Sequence, residues 1–196
     1  MNETLIEHGF YRTPPATIES VSTYLEMRAA PARLPCDDAA IRRSSLDVAG
    51  YRRLFLAVGA DYLWVDHARR SDKELQEILA HDDIETWIVD CEGAAAGFAM
   101  LDFRETDACE LRYFGLVSRA IGRGLGRRLL NIAVARAWVR PIRRLWVRTS
   151  TLDHPAALPL YRRAGFIAYE RRISVSPDPR ATGLLPRDAA PQIALL

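Results

Sequence analysis

The sequence predicts one α/β domain with a central mixed, mostly antiparallel sheet and flanking helices. Three observations carry that expectation. Strand-like alternation and helix-like periodicity follow one another along most of the chain. Two apolar runs, Thr86 to Val89 and Ala96 to Phe103, flank Asp90-Cys91-Glu92-Gly93 and read as a hairpin. A glycine turn at Gly122-Arg123-Gly124-Leu125-Gly126 separates an extended segment from an amphipathic one.

The elements follow in order. Ser20 to Met27 reads as a strand with Val21, Thr23, Leu25 and Met27 on one face, ended by Pro31 and Pro35. Leu46, Tyr51, Leu54, Phe55 and Val58 recur at helical spacing, with Gly59 as the stop. Ser71 with Glu74 forms a capping box for a second helix carrying Leu75, Ile78 and Leu79. The hairpin leads to a strand from Cys109 to Val117, the glycine turn, and a helix from Leu125 to Val139. Leu145, Val147 and Thr149 alternate in the next strand. Strand, helix, strand over this length implies a parallel pair with a right-handed crossover. Asp153-His154-Pro155 opens the last helix and Gly165 closes it. Phe166 to Val175 is the final strand.

Residues 1–17 read as a lead-in, 18–175 as the domain, and 176–196 as an irregular tail with Pro177, Pro179, Pro186 and Pro191. The 196 residues fit one domain, and 49% hydrophobic residues fill a substantial core. A formal charge of +2 counts against a nucleic-acid role. No apolar run approaches the roughly 18 residues needed to cross a bilayer. Residues 1–12 lack a signal-peptide core, so a cytoplasmic location away from membranes is expected. Cys36, Cys91 and Cys109 show no metal-ligand pattern and read as reduced thiols. Arginines cluster at Arg140, Arg143 and Arg144, and at Arg162, Arg163, Arg171 and Arg172. A solvated surface and a phosphate-rich ligand are the two readings of them.

The glycine turn carries the chemistry. Backbone N–H groups at a helix N-terminus converge on one point with partial positive charge, an arrangement suited to a pyrophosphate. The spacing is neither G-x-x-x-x-G-K-[ST] nor G-x-G-x-x-G, since Gly122, Gly124 and Gly126 run G-x-G-x-G. Read with the order of elements, the chain resembles the GCN5-related N-acetyltransferase (GNAT) family. The family's [QR]-x-x-G-x-[GA] signature matches at Gly124 and Gly126, with Ile121 where Gln or Arg is usual. A second pattern, N-x-x-A-x-x-L-Y-x-x-x-G-F, matches at Ala157, Leu160, Tyr161, Gly165 and Phe166, with His154 in place of Asn.

The resemblance implies an acetyl-CoA co-substrate, an amine acceptor, direct transfer in a ternary complex, and no metal. It implies that backbone groups of Gly122, Arg123, Gly124, Leu125, Gly126 and Arg127 hold the pyrophosphate. Two parallel strands would splay around pantetheine, with Leu116 and Val117 bonding to it and one N–H polarising the thioester. Tyr161 would protonate the departing thiolate; its other reading is a core aromatic. Glu110 would be the base, directly or through a water, on one strand face with Arg112, Phe114 and Leu116; its other reading is a carboxylate paired with Arg112. His154 would contact pantetheine with Ala157, or serve as a second base. Tyr62, Trp64, Tyr113 and Phe114 would clasp an apolar or aromatic acceptor, or pack in the core. Asp61 and Asp66 would attract an ammonium or sit in solvent, and His67 and His81 are expected at the surface. The sequence fixes neither the acceptor nor the oligomeric state, a homodimer being compatible with it. The rival readings are an acyltransferase with another donor or acceptor, and a non-catalytic acyl-CoA-binding module.

Overall fold

A computed structural model describes residues 8–32 and 37–195; the Cys36 thiol and the Pro35 strand stop lie outside them. One seven-stranded sheet runs in the order β2-β3-β4-β5-β6-β1-β7. Its strands are β1 (Thr17–Met27), β2 (Ile41–Arg43), β3 (Ile84–Cys91), β4 (Ala94–Asp102), β5 (Ala108–Leu116), β6 (Arg144–Ser150) and β7 (Ile167–Pro177). The helices are α1 (Val48–Gly59), α2 (Asp72–Leu79), α3 (Leu125–Ala137) and α4 (Ala157–Arg163). All pairings are antiparallel except β5 with β6, so the mixed, mostly antiparallel sheet with one parallel pair stands as expected.

Local signals explain most elements. The Ser71–Glu74 capping box opens α2, satisfying two orphan N–H groups reciprocally. Asp47 caps α1 by accepting from the Gly50 N–H at 2.7 Å. Glu92 and Gly93 turn the β3–β4 hairpin, both at positive φ. α1 ends at Gly59 as expected, though at a right-handed φ; the residue is small because a Cβ there would sit 2.6 Å from that of Trp64. Two expectations are corrected. The last helix begins at Ala157, after a turn in which the His154 Nδ1 accepts the Ala156 N–H. His67 is 2% exposed, not superficial. Its Nδ1 pairs with the Tyr51 hydroxyl at 2.7 Å, and burial with nearby arginines pulls its pKa down to about 4.

The β4–β5 register slips by one residue. Met100 faces Tyr113, but Leu101 faces Leu111, so Arg112 is the extra residue of a bulge on β5. Directly paired residues share a face of the sheet. Asp102 and Met100 share one face, and so do their partners Glu110 and Tyr113. Ala99 and its partner Phe114 lie on the other, with Leu116. The expectation that Glu110, Arg112, Phe114 and Leu116 share a face is therefore wrong, because one inserted residue inverts the two-residue alternation. Packing agrees. The Tyr113 ring sits 5.2 Å from Phe55 of α1, and the Phe114 ring 5.9 Å from Tyr161 of α4.

Residues 178–195 contain no helix or strand, yet they pack. Leu185 and Ala190 join Ile18, Leu63 and Val65 in a second apolar cluster that also takes in Leu152. Asp178 and Arg180, both 2% exposed at the side chain, form an ion pair at 2.7 Å. Arg180 also donates to the carbonyls of Ala189, Ala190, Ile193 and Ala194, which closes the segment on itself. Gln192 donates to the Asp61 carbonyl at 2.6 Å and ties the segment to the connection between α1 and α2. Arg180→Met is expected to cost about 3–5 kcal/mol, because it strands a buried carboxylate and four acceptors. A thermal melt would show it as a fall in Tm of about 10 °C.

Candidate active site

β5 and β6 pair only from Ala108–Arg144 to Leu111–Val147. Beyond that fork the strands part, and β5 continues five more residues to Leu116. A cavity of about 250 Å³ opens there, lined by Leu111, Arg112, Phe114, Gly115 and Leu116 from β5 and by Arg148 from β6. The Val117 N–H donates to the Ala96 carbonyl at 2.8 Å, toward β4. Strand alternation therefore turns the Leu116 N–H and C=O the other way, into the fork. Val117 itself is buried and its N–H is spent, so the expected backbone role narrows to Leu116.

The glycine turn closes one end of the cavity through Ile121, Gly122, Gly124, Gly126 and Arg127. Gly122 and Gly124 sit at φ 81° and 77°, values that suit glycine, and Gly124 is the N-cap of α3. The first turn of α3 has no acidic residue, so its free N–H groups and the helix dipole face the cavity uncompensated. Arg123 points elsewhere, to Glu92 at 2.7 Å, and Leu125 is buried in the core. Arg127 is the turn's cation at the cavity, and Arg163 of α4 is a second.

α4 and the turn before it supply the facing wall: His154 and Ala156 from the turn, Ala157, Leu160 and Tyr161 from the helix. Tyr161 is 4% exposed and held edge-on between Phe114 and Phe166. Its side chain also lines the cavity. Burial, with the Asp153 carboxylate adding to it, raises its pKa well above that of a free phenol. The hydroxyl therefore stays protonated at neutral pH. Tyr161 is thus a core aromatic that also forms part of the cavity wall.

Tyr62 and Trp64 from the α1–α2 connection line the mouth, with the Tyr62 ring against His154. Trp64 is fixed by its Nε1–H donating to Asp153 at 3.1 Å. The other Asp153 oxygen accepts from the Thr149 hydroxyl and the Ser150 N–H. Sequence reading took Asp153 only as a helix start; it is the strut that holds the aromatic wall. Tyr113 does not reach the cavity, being packed among Phe55, Trp64, His67 and Phe98. Asp61 accepts from Ser118 at 3.1 Å, and Asp66 lies 3.8 Å from Arg69.

Glu110 lies just below the fork, in an adjoining depression with Asp102, Arg104, Glu105 and Trp146. It pairs with Arg112 at 3.0 Å, and Arg112 lines the cavity. Burial raises the Glu110 pKa above the usual carboxylate range, while Arg112 pulls it back. Cys109 is buried, and desolvation pushes its thiol far up, which removes it as a nucleophile. Arg112 and Arg148 were not read as cavity residues from the sequence. The alternation of Val147, Arg148 and Thr149 turns Arg148 out of the core, but only the fork turns it into a cavity.

A mixed sheet with a forked parallel pair, a glycine turn at one end of the fork and a flanking helix with a buried tyrosine is an acyltransferase fold. The acetyltransferase (GNAT) family model matches residues 50–166, and the chain belongs to that family. Among solved structures, a GNAT-family acetyltransferase from Novosphingobium aromaticivorans superposes with a TM-score of 0.59 at 19% identity, over 84% of this chain and 68% of that one. A GCN5-related N-acetyltransferase from Sphaerobacter thermophilus gives 0.58 at 14% identity, covering 83% of this chain but 52% of that one. The ribosomal-protein-S18-alanine N-acetyltransferase from Escherichia coli gives 0.53 at 19% identity, over 70% and 94%. At these identities the likeness is one of fold. No curated protein matches the chain.

Proposed function

We propose that this chain transfers the acetyl group of acetyl-CoA to a primary amine by direct attack within a ternary complex. The observation that carries the reading is the fork itself, with Tyr161 on one face of the sheet and Glu110 on the other. Direct attack on a thioester needs a base at the amine and an acid at the sulfur, and opposite faces keep the two from neutralising each other. The β5 bulge supports that division, since without it Glu110 and Phe114 would lie on one face.

Pantetheine lies along β5 in the fork, and the pyrophosphate sits at the start of α3. The Leu116 N–H donates to the thioester carbonyl, and such a donor is worth about 3 kcal/mol in the transition state. The acceptor enters past Trp64, on the Glu110 face. Glu110 takes the ammonium proton through a water, because it stands one step outside the cavity lining. The amine attacks the carbonyl carbon, the C–S bond breaks, Tyr161 gives its proton to the sulfur, and the proton then lost by the acylated nitrogen restores the phenol through solvent.

Glu110 must be ionised to act, so kcat/KM falls as pH drops through its pKa. Burial places that acidic limb above the ordinary carboxylate range. Glu110→Gln is expected to lower kcat/KM by about 100-fold and to erase the limb, a general-base effect of ordinary size. A pH–rate profile checks it, and an unchanged kcat/KM would remove Glu110 from the mechanism.

A further inference from the structure

Resting on the reading above, we infer that the acceptor amine carries an anionic group, a carboxylate or a phosphate, which Arg148 holds at the fork together with Arg112. Among the residues lining the cavity, Asp153 is the sole carboxylate, and its oxygens are taken by Trp64, Thr149 and Ser150. A polycationic acceptor would find no free counter-charge there. Cations are present instead.

Arg148 differs from its neighbours. Arg104 is paired with Asp102, Arg112 with Glu110, and Arg144 with Glu26. Arg148 forms no salt bridge among the described residues, is exposed, and lines the cavity. Its place separates it from the donor's phosphates. It follows Val147, the last β6 residue paired with β5, so it stands at the closed end of the fork. The glycine turn lies beyond Leu116 at the open end. The five steps from Leu111 to Leu116 span about 16 Å at a strand's rise, several times an ion-pair distance.

The face is also the acceptor's. Trp146 pairs with Glu110 across the parallel ladder, and Arg148 is two residues further along the same strand. Arg148 therefore projects on the Glu110 face, opposite Phe114 and Tyr161. A guanidinium there binds a carboxylate or phosphate through paired N–H donors and so fixes the amine beside it. Trp64, packed on Tyr113 of that face, bounds the space with apolar surface. The acceptor class that fits is a compact amine with an apolar body and one anionic group.

The test is CoA release by the full chain with matched acceptors. Phenylalanine is compared with phenylalaninamide and phenethylamine, O-phosphoethanolamine with ethanolamine, and spermidine serves as the polycation. The anionic member of one pair is expected to exceed its neutral partner by at least about 10-fold in kcat/KM, the size of one good charge-assisted contact. The pair that shows the difference tells carboxylate from phosphate. Arg148→Gln is expected to erase the preference without changing the Kd for acetyl-CoA, and Arg148→Lys to restore part of it. Neutral amines or spermidine turned over as well as the anionic acceptors would overturn the inference and leave the acetyltransferase reading standing. So would Arg148→Gln slowing all acceptors alike. Acetyl-CoA binding with no release from any acceptor would overturn both.

Discussion

Tyr161→Phe is expected to lower kcat by about 100-fold or more, the range of a lost general acid. The effect should fall on chemistry alone. The phenylalanine ring keeps the edge-on contacts with Phe114 and Phe166, so the melting temperature should stay near that of the parent. The Kd for acetyl-CoA should be unchanged, because the proton is needed only as sulfur becomes a thiolate. Burial and the Asp153 charge raise the phenol's pKa, so the acid remains protonated throughout the neutral range. Steady-state rates with acetyl-CoA and an accepted amine check this. Parent turnover at every pH would remove Tyr161 from the mechanism.

The second large effect belongs to the glycine turn. The Gly124→Val, Gly126→Val double variant is expected to lose acetyl-CoA binding, with Kd weakened by more than about 100-fold, or roughly 2.7 kcal/mol. The two positions act differently. Gly124 sits at φ 77°, where a β-branched residue is strained, so the N–H groups at the start of α3 would be re-aimed. At Gly126 a Cβ would meet Leu116 and Leu160 at 3.7 and 3.9 Å, ordinary contact distances. An alanine there fits, but the branches of valine project into the donor's space. Isothermal calorimetry with acetyl-CoA separates the cases. Gly126→Ala should retain most binding, while the double variant should show none; retained binding in the double variant would contradict a phosphate cradle.

Periodicity made the strands and helices legible because each buries a face whose pattern it repeats. The glycine turn and the Tyr161 helix were legible because their local residues dictate their local shape. Four features were hidden for physical reasons. β2 is three residues long, too short to show alternation. The bulge at Arg112 leaves no mark on the sequence of β5, since it is a property of pairing with β4. It moved Glu110 to the opposite face from the one alternation implied. His67 looked superficial because a polar residue near Asp66, Arg69 and Arg70 reads as exposed, whereas the Tyr51 hydroxyl satisfies it within the core. Arg148 and Asp153 became site residues only through the fork and the Trp64 contact, both set by strands distant in sequence.

The central claim is acetyl transfer to an amine in the fork between β5 and β6. Incubation of the parent protein with acetyl-CoA and the matched amine panel, followed by free-thiol release and product mass, tests it most directly. Thiol release that depends on the amine, with an acetylated amine formed in equal amount, is the predicted result. Saturable acetyl-CoA binding with no amine-dependent thiol release from any member would contradict it and mark the chain as a binding module.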